Sequence, residues 1–495
     1  MKSTHQHQHQ HNDIHKDVNN GNDDETTSLL TKNHKHTLQL SNSISDINDN
    51  DNVVHNQESG QDDLRSTLAS VAGNILEWYD FAIYGYFSDV IGTLFFPSSP
   101  NNDDNDNNTP SILSSLLVFG LAFFARPLGG LLLGYIGDTF RRKRALEVSL
   151  FLMAFPTFFM GCLPTYSTVG GWSAVWLVMV RWMQGLSVGG QQMTSLVFVV
   201  EGRARGEWGW YGSFAMMASC LGTLLGEVVG YLMRKHYTTD QLLRGYWRIP
   251  FLCGIFVSLA GYYIQHHVRD HDRIDSILME KKHHIDPEKH RPLTPLELAW
   301  SRPLRGSLLC VTAAVFLWAG GFYILFVWLV IFMTDLVYPP IPYAFVINAS
   351  CLFVTMVVLF PFAGWLSDVW GRKVVMTWGG VGVALLSPVA MDVISRGGGN
   401  LGGVVAAQML LGVCLCLYAS PMCAWMVESF PPEARLTSVA IGYNVALALA
   451  GGMSPSLATW LVMEYGVMAV GYLLSASAIV SLLGLHLAPK HDEYL

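Results

Sequence analysis

The sequence predicts an all-α integral membrane protein with about twelve transmembrane helices in two six-helix halves. Three observations carry that prediction: a low density of charge, a succession of apolar stretches of similar length, and a loop sequence that occurs twice. Charged residues make up 14% of the 495 residues and hydrophobic residues 51%. Soluble proteins carry roughly 25% charged residues. An apolar stretch of about 20 residues is long enough to cross a bilayer as a helix, and a helix satisfies its own backbone polar groups there.

In chain order, residues 1–65 form a cytosolic tail rich in Asn, Asp, His and Gln, too poor in apolar side chains to fold, and so expected to be disordered. The tail holds 11 acidic and 5 basic residues, which accounts for most of the net charge of −8. The rest of the chain is nearly neutral, which argues against a nucleic-acid partner. The alternating His5–His11 run has no fixed coordination geometry, so no metal site is expected. The first half, 66–268, has spans near 66–96, 110–135, 145–164, 173–200, 207–233 and 247–268. A polar cytosolic linker, 269–305, follows. The second half, 306–488, has spans near 306–336, 341–366, 374–395, 401–427, 434–461 and 465–487, and 489–495 is a cytosolic C-terminus. All eight cysteines fall in apolar stretches, where cysteine acts as a small hydrophobe.

Lys and Arg mark the cytosolic side of a membrane protein. With the N-terminus inside, the inner connections hold 17 of these residues, among them Arg141 to Arg144 and eight in the linker. The connection after the fifth span, with Arg234, Lys235 and Arg244, runs against the bias.

The repeated loop closes the second and eighth spans. Gly134-Tyr-Ile-Gly-Asp138-Thr-Phe-Arg141-Arg142-Lys143 recurs as Gly364-Trp-Leu-Ser-Asp368-Val-Trp-Gly371-Arg372-Lys373, 230 residues later. A glycine lets helix ends pack closely, and an Asp can accept hydrogen bonds from a neighbouring helix N-terminus. Two parallel halves with a site between them near the midplane are the expected arrangement.

This loop resembles the signature of the major facilitator superfamily. Further motifs resemble its metabolite:proton symporter family, which includes proline/betaine, shikimate, 2-oxoglutarate and citrate carriers. They are Gly73-Asn-Ile-Leu-Glu77-Trp-Tyr-Asp80-Phe, Phe124-Ala-Arg126-Pro127, Arg181-Trp-Met-Gln184-Gly-Leu-Ser-Val-Gly189-Gly190, Trp247-Arg248-Ile-Pro250 and Phe430-Pro431-Pro-Glu-Ala-Arg435. The resemblance implies secondary active transport of a small organic acid or zwitterion by alternating access, coupled to a proton and needing no cofactor. Gln191 stands where the family has glutamate. That departure leaves open an uncoupled, sugar-type facilitator of the same superfamily. A transporter-like nutrient sensor is the alternative from another class. No phosphate loop, His-Glu-x-x-His or nucleophile elbow is present, so no enzymatic activity is expected.

Ionisable groups within a span are functional candidates. Here they are Glu77, Asp80, Arg126, Arg181, Glu227 and Asp392. At 1.5 Å per residue, Asp80 lies about 20 Å and Arg181 about 18 Å from the cytosolic side, with Glu77 a turn below Asp80. The resemblance sets spans one and four on the central cavity. An Asp80–Arg181 pair, with Glu77 titrating beside it, is the expected coupling site, and a purely structural pair is the alternative. Arg126, placed near the cytosolic end of span two, has Glu201, phosphate or substrate as candidate partners. Tyr84, Gln184, Gln191, Gln192, Trp318, Tyr323, Tyr418, Trp425 and Asn444 are candidates to line the cavity, with ordinary packing equally open for each. Gly134, Asp138, Arg142, Gly364, Asp368, Gly371 and Arg372 are the conformational loop residues. A monomer in the plasma membrane is expected. An acidic dileucine pattern at Glu25, Leu29 and Leu30, readable by a sorting adaptor, keeps an endosomal or vacuolar membrane as the alternative.

Overall fold

The computed structural model describes residues 74–75, 77–97, 109–140, 142–253, 294–396 and 400–489. The tail 1–65 with its Glu25–Leu30 pattern, Gly73, Arg141, most of the 269–305 linker and residues 490–495 lie outside the described residues. Arg142 is placed only as the first residue of a helix.

Long helices follow one another as hydropathy dictates. In the first half, α1 covers 77–95, α2 Thr109–Thr139, α3 Arg142–Cys162, α4 Trp172–Glu201 and α5 Trp208–His236. Helix α6 starts at 248 and is described to 253. In the second half, α7 covers 302–336, α8 Ala344–Trp370, α9 Arg372–Ser395 and α10 Leu401–Glu428. Helix α11 covers 435–465, and α12 is Val467–Leu487. Among the described residues, eight helices are long and apolar enough to cross a membrane.

Local sequence sets the helix ends. Gly371 (φ +94°) separates α8 from α9, and Gly466 (φ +80°) separates α11 from α12. That backbone region is open to glycine without a Cβ clash. Helix α7 begins at Arg302, four residues before the expected start of its span, because Pro303 suits the first helical turn. The end of the linker forms a short helix, Pro295–Ala299, with Thr294 and Glu297 as a capping box.

What positions the site is the contact between α1, α2 and α7. Trp78 meets Phe322 and Tyr323 with ring centroids 6.4 and 6.5 Å apart. Phe123 meets Tyr323 edge-on at 5.1 Å. These large buried rings join the first half to the second along one line. Helix α7 winds with a wider π-helical turn just beyond it, over Ile324–Trp328.

Candidate functional site

Glu77, Asp80 and Tyr84 lie three and four residues apart, so they share one face of α1. All three are buried, as are Arg181 and Gln184 one turn apart on α4. The expected Asp80–Arg181 pair is present in bridged form. Arg181 Nη1 donates to Gln184 Oε1 at 3.0 Å, and Gln184 Nε2 donates to Asp80 Oδ2 at 2.5 Å. Gln184 also donates to the Thr157 hydroxyl of α3 at 3.3 Å. The Arg181 guanidinium lies over the Tyr84 ring, 3.4 Å from its centroid. An amide thus stands between the buried guanidinium and the buried carboxyl.

Glu77 belongs to a second cluster. Neither of its carboxyl oxygens has a hydrogen-bond partner among the described residues, and the cation acting on it is Arg126. The Arg126 guanidinium is 4.0, 4.6 and 5.3 Å from the ring centroids of Phe123, Phe81 and Trp78. Tyr323 of the opposite half lies beside it. This corrects the expectation that Arg126 sits near the cytosolic end with Glu201. Helix α2 runs on to Thr139, which puts Arg126 about 20 Å from that end. Glu201 instead pairs with Arg435 of α11 at 3.0 Å. Glu77 and Asp80 therefore answer to different cations and do not form one carboxylate pair.

The remaining cavity candidates divide. Trp318 donates to the Tyr443 hydroxyl at 3.1 Å, and Tyr323 lies at the contact between halves. Asn444 of α11 donates to the Gly189 carbonyl of α4, across the halves. Gln192 turns to α5, donating to Met216 Sδ and the Ser219 hydroxyl. Gln191, two turns from Gln184 on α4, accepts from the Ser149 hydroxyl of α3 at 3.1 Å. The Tyr418 hydroxyl is tied to the Ala314 carbonyl at 2.7 Å, inside the second half, so it packs rather than lines an interface. Trp425 is buried, and its indole N–H has no partner among the described residues.

The two repeated loops make the same contact twice, each with the opposite half. Asp138 accepts from the Thr437 backbone N–H at 2.8 Å, at the start of α11. Asp368 accepts from the Gly209 and Trp210 backbone N–H groups at 2.9 and 2.8 Å, at the start of α5. A Cβ on Gly134 would stand 3.0 Å from Thr437 Cα, and one on Gly364 2.4 Å from the Gly209 carbonyl oxygen. The close approach needs glycine at 364 and leaves a side chain at 134 only a tight fit. Arg372 ties the second loop down, bonding Asp368 and reaching Glu428 at 3.2 Å.

Residues 66–484 match the family model described as "Sugar (and other) transporter". The chain belongs to that family. It is a multi-pass integral membrane transporter with the major facilitator fold. A proline/betaine transporter of Escherichia coli is 27% identical over 422 residues, covering 85% of this chain and 82% of the relative. A glycine betaine/proline/ectoine/pipecolic acid transporter of Dickeya dadantii is 26% identical over 423 residues, with the same coverage. The solved structure of a proton:xylose symporter, bound to 6-bromo-6-deoxy-D-glucose, superposes with a TM-score of 0.70 at 16% identity. It covers 87% of this chain and 96% of that one. The xylose transporter of E. coli in a partially occluded inward-open conformation gives 0.64 at 17% identity, covering 85% and 96%. At such identities the structural likeness establishes the fold.

Within that transporter fold, one polar cluster was not anticipated. Asn348 of α8 donates to Glu227 Oε1 of α5 at 3.1 Å and to the Phe326 carbonyl at 3.0 Å. Gln408 of α10 donates to Asn348 Oδ1 at 2.7 Å and to the Leu325 carbonyl at 3.0 Å. The available signal was the placing of Asn348 and Gln408 as lone amides in apolar spans, since buried amides seek partners across helices.

Proposed function

We propose that this protein moves a small zwitterion across the membrane by alternating access, as a proton-coupled symporter. The observation carrying the proposal is the buried Glu77–Arg126 cluster at the contact between halves. A zwitterion offers a carboxylate to Arg126, which as a planar guanidinium binds carboxylates in bidentate fashion. Its ammonium end faces Glu77 and the rings of Trp78, Phe81 and Phe123, which attract cations through their π faces. The named relatives, carriers of proline and betaines, favour the same substrate class.

Proton coupling falls to Asp80, with Gln184 relaying between it and Arg181. A proton on Asp80 releases Arg181, and the loss of that proton re-forms the bridge. The 66–268 and 306–488 halves are the rocking bodies in this reading, and the plasma membrane is its site. The test is uptake into proteoliposomes of a panel of proline, glycine betaine, citrate, shikimate and xylose, with and without an acid-outside pH gradient. Gradient-driven accumulation of a zwitterion supports the proposal. Equilibration of xylose, indifferent to the gradient and to a protonophore, would replace it with facilitated sugar transport.

A further inference from the structure

We propose that Glu227 is a second proton-binding site, distinct from Asp80, whose protonated form latches α5 to α8 at the outer end of the transporter. The charge bias assigns the repeated loops to the cytosol, and Glu227 lies about 29 Å along α5 from Trp208, the loop-end residue. Its carboxyl is 2% exposed. It is joined to the opposite half by Asn348, and Asn348 is fixed in turn by Gln408 and by the Phe326 carbonyl. The two accepting carbonyls, Leu325 and Phe326, belong to the π-helical turn of α7. Helices α5, α7, α8 and α10 are therefore linked through Asn348, which alone of these partners bonds the Glu227 carboxyl.

The neighbours show which form of that carboxyl the closed latch holds. From α1 the titratable group facing Glu227 is the Tyr86 hydroxyl. From α8 and α10 come Asn348 and Gln408, both neutral and non-titrating. Arg234, about 10 Å further along α5, is bonded to Asp89 of α1 at 2.6 Å. Arg126 and Arg181 serve Glu77 and Asp80. A buried carboxylate without a cation is strongly disfavoured, whereas a carboxylic acid accepts from Asn348 and carries no charge to be compensated. Closure of the outer end therefore takes up a proton at Glu227, and loss of that proton favours the opening that returns the carboxylate to water. The sign is fixed: the closed form predominates at low pH and yields as pH rises, by up to about tenfold per pH unit for one linked proton.

The experiment is a pulsed electron–electron distance measurement on the full chain in nanodiscs, without substrate. Spin labels are placed by His236→Cys on α5 and Val346→Cys on α8, in a background with the exposed Cys162 and Cys253 changed to Ser. The distance distribution is followed from about pH 5 to about pH 9, a range spanning shifted carboxyl titrations. The latch predicts a short distance at low pH that lengthens with rising pH. Glu227→Gln, which is isosteric and permanently neutral, keeps the short distance throughout. Asn348→Leu, which removes the partner, gives the long distance throughout. A Glu227→Gln protein that follows the unmodified pH curve overturns the proposal. So does a pH response abolished by Asp80→Asn instead. Because no substrate or flux is read, this outcome is independent of the transport assay.

Discussion

Deep in its described spans the first half buries the charged-type side chains Glu77, Asp80, Arg126, Arg181 and Glu227. The described spans of the second half bury amides, hydroxyls and aromatic rings at the corresponding depth, such as Asn348, Gln408, Trp318, Tyr443 and Asn444. Yet the loop ends of the two halves are nearly copies. Asp138 holds the start of α11 and Asp368 the start of α5, each with a glycine at the close approach. The contrast separates two requirements. Both halves must close against each other at the loop end, so the repeat keeps its geometry there. In the proposed mechanism titration needs charge in one half alone, and the other half presents a neutral surface against which that charge can change. Burying charge in both halves would double the desolvation cost without adding a second function.

The largest effect is expected where the charge is most enclosed. Asp80→Asn leaves Arg181 buried without its carboxylate, at a cost of about 3–5 kcal/mol, and uptake should fall to background. Arg181→Gln should do the same. Normal uptake by either variant in proteoliposomes would remove the first half's claim to the coupling site.

A more selective loss is expected from Glu77→Gln. The amide fills the same space but cannot change charge, so it should weaken binding of a zwitterion while the Asp80 bridge remains intact. Equilibrium binding of proline or betaine should drop at least about tenfold, the scale of one charge-assisted contact. Unchanged affinity would place the substrate elsewhere.

The loop comparison is sharpened by Asp138→Asn and Asp368→Asn. Each removes a charge from hydrogen bonds worth about 1.5–3 kcal/mol, and each should raise labelling of a cysteine introduced at the loop end. Comparable increases support a shared closing role for the duplicated loops. An effect of only one would show that the repeat has kept its shape but not its use. The smallest effect belongs to Tyr418→Phe. It deletes a bond to the Ala314 carbonyl, so thermal stability should fall by about 1 kcal/mol with uptake kinetics unchanged.

Much of this was legible in the sequence, for identifiable reasons. Helix positions follow from hydropathy, and the loop contacts from a motif that repeats with its Asp and Gly in place. Depth along the helix axis, with the resemblance setting spans one and four on one cavity, brings Asp80 and Arg181 to the same level. Depth says nothing about rotation around the axis, and that hid the rest. Gln184 as the bridge, Gln191 turned to Ser149 and Tyr418 turned to Ala314 all depend on which way a helix face points. A second span ending at 135 sets Arg126 near the cytosolic end, with Glu201, phosphate or substrate open as partners, whereas α2 runs to Thr139. Glu201 was already engaged by Arg435, 234 residues away. The Glu227–Asn348 contact likewise joins the two halves, and no local pattern announces it.

The central claim is that Asp80 couples transport to protons while Glu77 holds the cationic end of the substrate, and one measurement addresses both. Proteoliposomes carrying the unmodified protein or the Glu77→Gln/Asp80→Asn double variant are given an acid-outside pH gradient, and accumulation of labelled zwitterion is followed with and without a protonophore. The account predicts uphill, protonophore-sensitive accumulation by the unmodified protein and none by the double variant. Full gradient-driven accumulation by the double variant would contradict it.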